Sequence, residues 1–192
     1  MAPKFLVADE MKPKRITQNW GVRDSFYEQF GFKLHNGTDY ALGNRAEIRA
    51  GIPSTVTKIG WQPTGGGHYI CLLTDQQYEF KDKTVAWAEL TYMHLDHTIA
   101  VVGQKLAVGD LFAIGDNTGA STGPHCHVAP KRVKKVAGGY NEIDKNDAKN
   151  TFDIELYRSG EFAEDIWKLR QQVSLLQKVV LLYQALRGVV KS

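Results

Sequence analysis

The sequence predicts a mainly β protein that ends in a long α-helix, and three observations predict it. Between Gly21 and about Val136 the chain is a series of short apolar runs punctuated by glycine and proline, the mark of strands joined by tight turns. From Phe162 to Val190 there is no proline, Gly188 is the sole glycine, and apolar residues recur every third and fourth position, the period of a helix. With 192 residues, 43% of them hydrophobic, the chain is long enough for one domain with its own core and a small appendage.

Taken in order, residues 1–17 form a basic arm containing Lys4, Lys12, Lys14 and Arg15, together with Pro3 and Pro13. Residues 18–160 form the β domain, with Ser54–Ile59, Tyr69–Leu73, Ala86–Met93, Gly109–Ile114 and His125–Ala129 as its apolar runs. Gly65-Gly66-Gly67 suits a hairpin turn, Lys131–Lys135 a solvated strand end and Gly138–Lys149 a polar loop. In residues 161–192, Ile166, Leu169, Val173, Leu176, Val180, Tyr183 and Val190 form one stripe, interrupted at Arg187. Leu175, Val179, Leu181 and Leu182 widen it, so such a helix requires a partner. Its own β domain and another copy of the chain, forming a homo-oligomer, are the two candidates.

Composition excludes several functions. Lysine and arginine exceed aspartate and glutamate by 24 to 21, a net +3, too small to argue for nucleic-acid binding. The longest apolar run, Val179–Tyr183, falls far short of a membrane span. Phe5–Ala8 is too short for the apolar stretch of a secretory signal, so no signal peptide is expected. Cys71 and Cys126 make no disulfide framework and have no zinc-knuckle spacing; both read as buried thiols.

The chemistry lies in the histidines. In His35-Asn36-Gly37-Thr38-Asp39, residues four apart share a face of an extended chain, and imidazole and carboxylate are both zinc ligands. In His125-Cys126-His127 the two histidines share a face and Cys126 turns into the core. Paired inward histidines need partners; a metal and a reacting substrate are candidates. Tyr92-Met93-His94-Leu95 places His94 at a strand end, with Tyr92 and His94 on one face and Met93 and Leu95 on the other. The turn-rich Gly115–Pro124 delivers the chain into His125. Val102–Ile114 is similar to the closing strands of biotinyl or lipoyl carriers, but Met11-Lys12-Pro13 is no carrier-lysine site.

In order, His35-x-x-x-Asp39, Tyr92-x-His94-Leu95, Gly103-Gln104 and Gly119-x-Ser121-Thr122-Gly123-Pro124-His125-x-His127 resemble the lysostaphin-type (LytM-like) peptidoglycan endopeptidases, from about Gln18 to Val128. Asp153–Tyr157 resembles their closing segment. The lead-in Gln18-Asn19-Trp20-Gly21 with Tyr27-x-x-Phe30-Gly31 is similar to a bacteriophage branch of that family, the lysins. The resemblance implies antiparallel strands with an active-site groove. It also implies a zinc ion on His35, Asp39 and His127, with His94 and His125 as catalytic residues. Tyr27 and His68 are weaker groove candidates. Three protein ligands leave zinc a position for water, whose pKa it lowers to about 7, and histidines suit the proton transfers. The implied activity is hydrolysis of stem or cross-bridge peptides in bacterial peptidoglycan, at the cell wall. The alternative is a non-enzymatic wall-binding or scaffold protein on the same fold, as arises when ligands are lost; here all five positions are filled.

Overall fold

A computed structural model describes residues 1–43 and 45–189, with side chains to residue 184. Val190, the last member of the predicted stripe, lies outside the described residues. The strands are β1 (Val7–Asp9), β2 (Ile16–Gln18), β3 (Thr38–Ala41), β4 (Ala46–Arg49), β5 (Ser54–Gln62), β6 (Gly67–Thr74), β7 (Tyr78–Glu79), β8 (Val85–Thr98), β9 (Lys105–Leu106), β10 (Leu111–Gly115), β11 (His125–Val136), β12 (Gly139–Glu142) and β13 (Arg158–Phe162). One helix, α1 (Ala163–Val189), follows. The principal sheet is antiparallel and runs β2-β3-β11-β8-β6-β5-β9, with β10 bridging β4 and β8, and β7 and β12 on its margins. β1 and β13 form a separate parallel pair.

Alternation builds this sheet. Along β8, Ala86, Ala88, Leu90 and Tyr92 are buried while the residues between them are half-exposed, so one face packs inward, as period two requires. Ile70, Leu72, Phe112, Cys126 and Val128 join the same core. Each fully buried aliphatic or aromatic side chain there contributes about 1.5–3 kcal/mol.

The basic arm expected over residues 1–17 is instead part of the core. Phe5 is 1% exposed and stacks on Phe80 at 4.7 Å between ring centres, with Phe152 and Tyr157 edge-on. Val7, Ala8 and Met11 are buried as well. Lys4 and Lys12 are exposed and Lys14 bridges Asp9 and Glu155, while the apolar residues of the segment are buried, a division that net charge along the sequence does not reveal.

A buried polar network joins this segment to β13. Arg158 Nη1 donates to Glu10 Oε2 at 2.5 Å and its Nη2 donates to the Tyr40 hydroxyl at 2.5 Å. Tyr92 donates to Glu10 Oε1 at 3.0 Å, and Tyr40 donates to Glu155 Oε1 at 2.5 Å. Tyr40 adjoins Asp39, and Tyr92 lies two residues from His94, so the network braces the back of the strands whose other face carries the histidines. Removing one partner of a buried ion pair leaves the other charge uncompensated, which costs about 3–5 kcal/mol. Arg158→Ala is therefore expected to lower unfolding free energy by that order, measured by urea titration with intact zinc-free protein as reference.

Candidate metal centre

Strands β3, β8 and β11 lie side by side, and their groove-facing residues converge. In the β11–β3 ladder His127 stands opposite Asp39, and in the β11–β8 ladder it stands opposite Met93. Cys126, between the two histidines, is fully buried on the core side, as alternation predicts. His35 does not lie on the strand with Asp39. It precedes β3, and the turn through Gly37 folds it back over the strand. Gly37 is required there, since a Cβ would fall 2.6 Å from His127 Cε1 and Nε2 and from the Val128 carbonyl.

The result is a compact trio. His127 Nδ1 lies 2.8 Å from Asp39 Oδ1, His35 Nε2 lies 3.2 Å from that oxygen, and the two nitrogens are 3.1 Å apart. All three residues are buried, and these ligand atoms form the His/Cys/Asp/Glu group compact enough for a metal ion among the described residues. The tautomer of His35 follows from its other nitrogen. Nδ1 sits 2.9 Å from the Asn19 carbonyl; a carbonyl only accepts, so Nδ1 carries the proton and Nε2 presents a lone pair. That lone pair faces a carboxylate oxygen, an arrangement of acceptors that a cation reconciles. The trio therefore fits a zinc ion by ligand type, burial and outer hydrogen bond. Burial opposes ionisation of Asp39, but its interactions with His127 and then His35 outweigh it and hold the carboxyl well below the usual range.

The two other histidines flank the trio. His94 and His125 have ring centres 4.6 Å apart. His125 Nδ1 donates to the Gly123 carbonyl at 2.8 Å and lies 3.0 Å from Ser121 Oγ, while its Nε2 is 3.9 Å from Asp39 Oδ2. His94 Nδ1 donates to the Thr118 carbonyl at 2.8 Å, which leaves Nε2 as an acceptor. Burial, with the neighbouring His125 and His127 acting in the same direction, lowers its pKa to about 4, so its ring is neutral at pH 7.

His94 is not on the Tyr92 face, contrary to the alternation read from the sequence. Tyr92 points into the core at Glu10, whereas His94 lines the groove beside Met93. The cause is a bulge. The β6–β8 register shifts between His68 and Ile70, and His94 adopts φ +62°, a conformation rare outside glycine and costly unless its surroundings enforce it. Here the His94 N–H donates to the Gly66 carbonyl at 2.8 Å and the His94 carbonyl accepts from Asp116 N–H at 3.3 Å. Thr118 completes the clamp, donating its hydroxyl to the Leu95 carbonyl at 2.6 Å. Sequence reasoning did not single out Thr118 or Asn19; their contributions run through backbone carbonyls, which side-chain type does not signal.

His35, Asp39, His94, His125 and His127 line one groove of about 340 Å³. Tyr27 forms part of its wall and stacks on His35 at 5.1 Å. Burial, followed by the charges of Asp39 and Asp24, raises its hydroxyl pKa to about 12. His68 is not brought into the groove: it is exposed and packs on Trp61 at 4.4 Å. No helix among the described residues is long and apolar enough to cross a membrane.

A family model described as Peptidase family M23 matches residues 33–137. An uncharacterised metalloprotease of Haemophilus influenzae is 32% identical over 93 residues, which cover 48% of this chain and 18% of that protein. Peptidoglycan DD-endopeptidase ShyB of Vibrio cholerae is 26% identical over 144 residues, 73% of this chain and 31% of the relative. The chain thus spans less than a third of the length of these relatives. A zinc-containing peptidase from Vibrio cholerae superposes with a TM-score of 0.56 at 21% identity, over 80% of this chain and 39% of that one; it shows the fold.

Proposed function

Since the chain belongs to peptidase family M23, we propose that it is a zinc metalloendopeptidase that hydrolyses stem or cross-bridge peptides of bacterial peptidoglycan. The observation that carries this reading is the buried His35, Asp39, His127 trio with His94 and His125 beside it in one groove. The name of the Vibrio cholerae relative supports peptidoglycan as the substrate class. The site of action is then the cell wall, and the Gln18–Gly21 lead-in supports a phage lysin as the biological setting.

His35 Nε2, His127 Nδ1 and Asp39 Oδ1 would hold the zinc. When bound, zinc supplies Lewis acidity, which polarises a peptide carbonyl and makes water acidic enough to act as a nucleophile near neutral pH. Asn19 keeps the His35 imidazole in register through its backbone carbonyl. His94, neutral and with Nε2 unprotonated, can accept a proton from the attacking water. His125 lies next to Asp39 with its Nδ1 proton tied to Gly123; with a proton also on Nε2 it can donate to the substrate oxygen on which negative charge develops. The two histidines can exchange these parts, because each has one nitrogen fixed by a backbone carbonyl. Tyr27, protonated at working pH, can donate a hydrogen bond into the groove.

Digestion of purified walls of several chemotypes, with mass spectrometry of the released muropeptides and a zinc assay on the same protein, tests the reading. New peptide termini released in a chelator-sensitive manner are expected. A zinc-loaded protein that binds walls and releases nothing would make it a scaffold instead. A subtler test is Gly37→Ala. The added methyl displaces His127 or the β3–β11 backbone, and a misplacement near 1 Å costs about 10²-fold in rate. Turnover is expected to fall by that order, with the unfolding midpoint reporting that the domain remains folded.

A further inference from the structure

Part of the groove wall comes from two segments outside the residues that match the family model: Asp24 to Phe32, and the loop that carries Lys149. The 3₁₀ turn Ser25–Phe30 is capped by Asp24, whose Oδ1 accepts from the Phe26 N–H at 2.9 Å. It brings Tyr27 and Phe30 to the groove, and Phe32 follows. The rings form a column. Tyr27 stacks on His35 at 5.1 Å and on Phe32 at 5.6 Å, and Lys149 Nζ lies 5.1 Å over the Phe32 ring. The column thus leads from a metal-ligand imidazole to an ammonium group. Those three separations keep Nζ within about five residues of extended peptide from His35.

The loop holds Lys149 in place. Lys149 and Asn150 adopt φ +56° and +65°, left-handed conformations that residues other than glycine keep only where their surroundings enforce them. Asn146 Oδ1 accepts from the Ala148 and Asn150 N–H groups at 3.0 and 3.1 Å. The Lys33 N–H donates to the Asp147 carbonyl at 3.2 Å, which ties the loop to the segment that carries Phe32. Among the described residues that line the groove, Lys149 is the sole lysine or arginine. It is exposed, and no carboxylate of the described residues pairs with it. Of the two carboxylates in the groove, Asp39 belongs to the metal trio and Asp24 caps the turn. The ring of Phe32 attracts the ammonium without using its N–H donors, so the groove presents a fixed cation that lacks an anionic acceptor. A glycine cross-bridge, joined at both ends, offers neutral peptide groups only. A stem peptide has acidic groups, its own terminus included.

We propose that Lys149 binds a free carboxylate of the substrate peptide and so selects stem peptides over uncharged cross-bridges. This rests on the endopeptidase reading, and the test separates the two. The probe is a synthetic cross-linked stem-peptide dimer in three forms, the free acid, the C-terminal amide and the internal carboxamide, with pentaglycine beside them. Zinc-loaded full-length protein is expected to cut the free acid with kcat/KM about tenfold above one amidated form, the low end for a hydrogen bond between charged groups. The difference should lie in KM and shrink as salt is raised. The amide that loses the advantage identifies which carboxylate Lys149 holds. Lys149→Gln is expected to treat all three dimers alike, at the wild-type value for the disfavoured amide, and Lys149→Arg to restore the preference. Equal wild-type kcat/KM on the three dimers would overturn the proposal. So would a preference for pentaglycine, or a loss in Lys149→Gln that is the same on every dimer. Calorimetric titration of the same peptides reads binding without cleavage. Carboxylate-dependent binding that Lys149→Gln removes, with no bond cut, would keep the subsite and defeat the endopeptidase; cleavage with no carboxylate preference would do the reverse. A protein that neither binds nor cuts any of the peptides would overturn both.

Discussion

Asp39→Ala protein is expected to emerge from purification without zinc and without hydrolytic activity. The side chain supplies the one formal negative charge of the trio, and its Oδ1 lies within 3.2 Å of both ligand nitrogens. Without it, two imidazoles remain 3.1 Å apart with nothing between them to balance a dication. Outer partners of metal ligands alone carry about 10–100-fold in affinity, and loss of an inner ligand exceeds that. Because the histidines hold Asp39 ionised far into acid, the wild-type site keeps its charge throughout the pH range where histidine ligands are neutral. Metal analysis after dialysis, alongside the wall-digestion rate, checks the expectation. Full zinc occupancy together with full activity in Asp39→Ala would show that the ligand assignment is wrong.

His94→Ala and His125→Ala should separate binding from turnover. Each ring has one nitrogen tied to a backbone carbonyl and neither belongs to the ligand trio, so zinc content should remain near one per chain. A positioned acid or base contributes about 10²–10⁴-fold to rate, and each substitution is expected to reduce kcat by that order. Zinc loss in step with activity would place the residue among the ligands; a near-normal rate would remove it from catalysis.

The legible and illegible parts of this molecule divide by the range of the interaction. His125 and His127 were readable because alternation within one strand needs no knowledge of the neighbours. The helix was readable for the same reason, its period being local. His35 and Asp39 do lie close together, but the Gly37 turn and not a shared strand face joins them. His94 was assigned to the wrong face because a bulge is set by the register of the adjoining strand, which no single segment encodes. The terminal segment was misread because its partners, Phe80, Phe152, Tyr157 and Arg158, are far along the chain, and its lysines dominate the local composition.

The pairing of Glu10 with Arg158 also bears on the order in which the molecule is made. The two residues are 148 positions apart, and closing a loop of that length costs about 4 kcal/mol in chain entropy before any contact repays it. On the ribosome, β3, β8 and β11 can all have emerged while Arg158 is still within the exit tunnel. Until it appears, Glu10 has no counter-charge and the backs of the ligand-bearing strands have no brace. Capture of the metal is thus expected to be late in synthesis, and nascent chains stalled with β11 emerged but Arg158 still in the tunnel should exchange zinc more readily than those in which Arg158 has emerged.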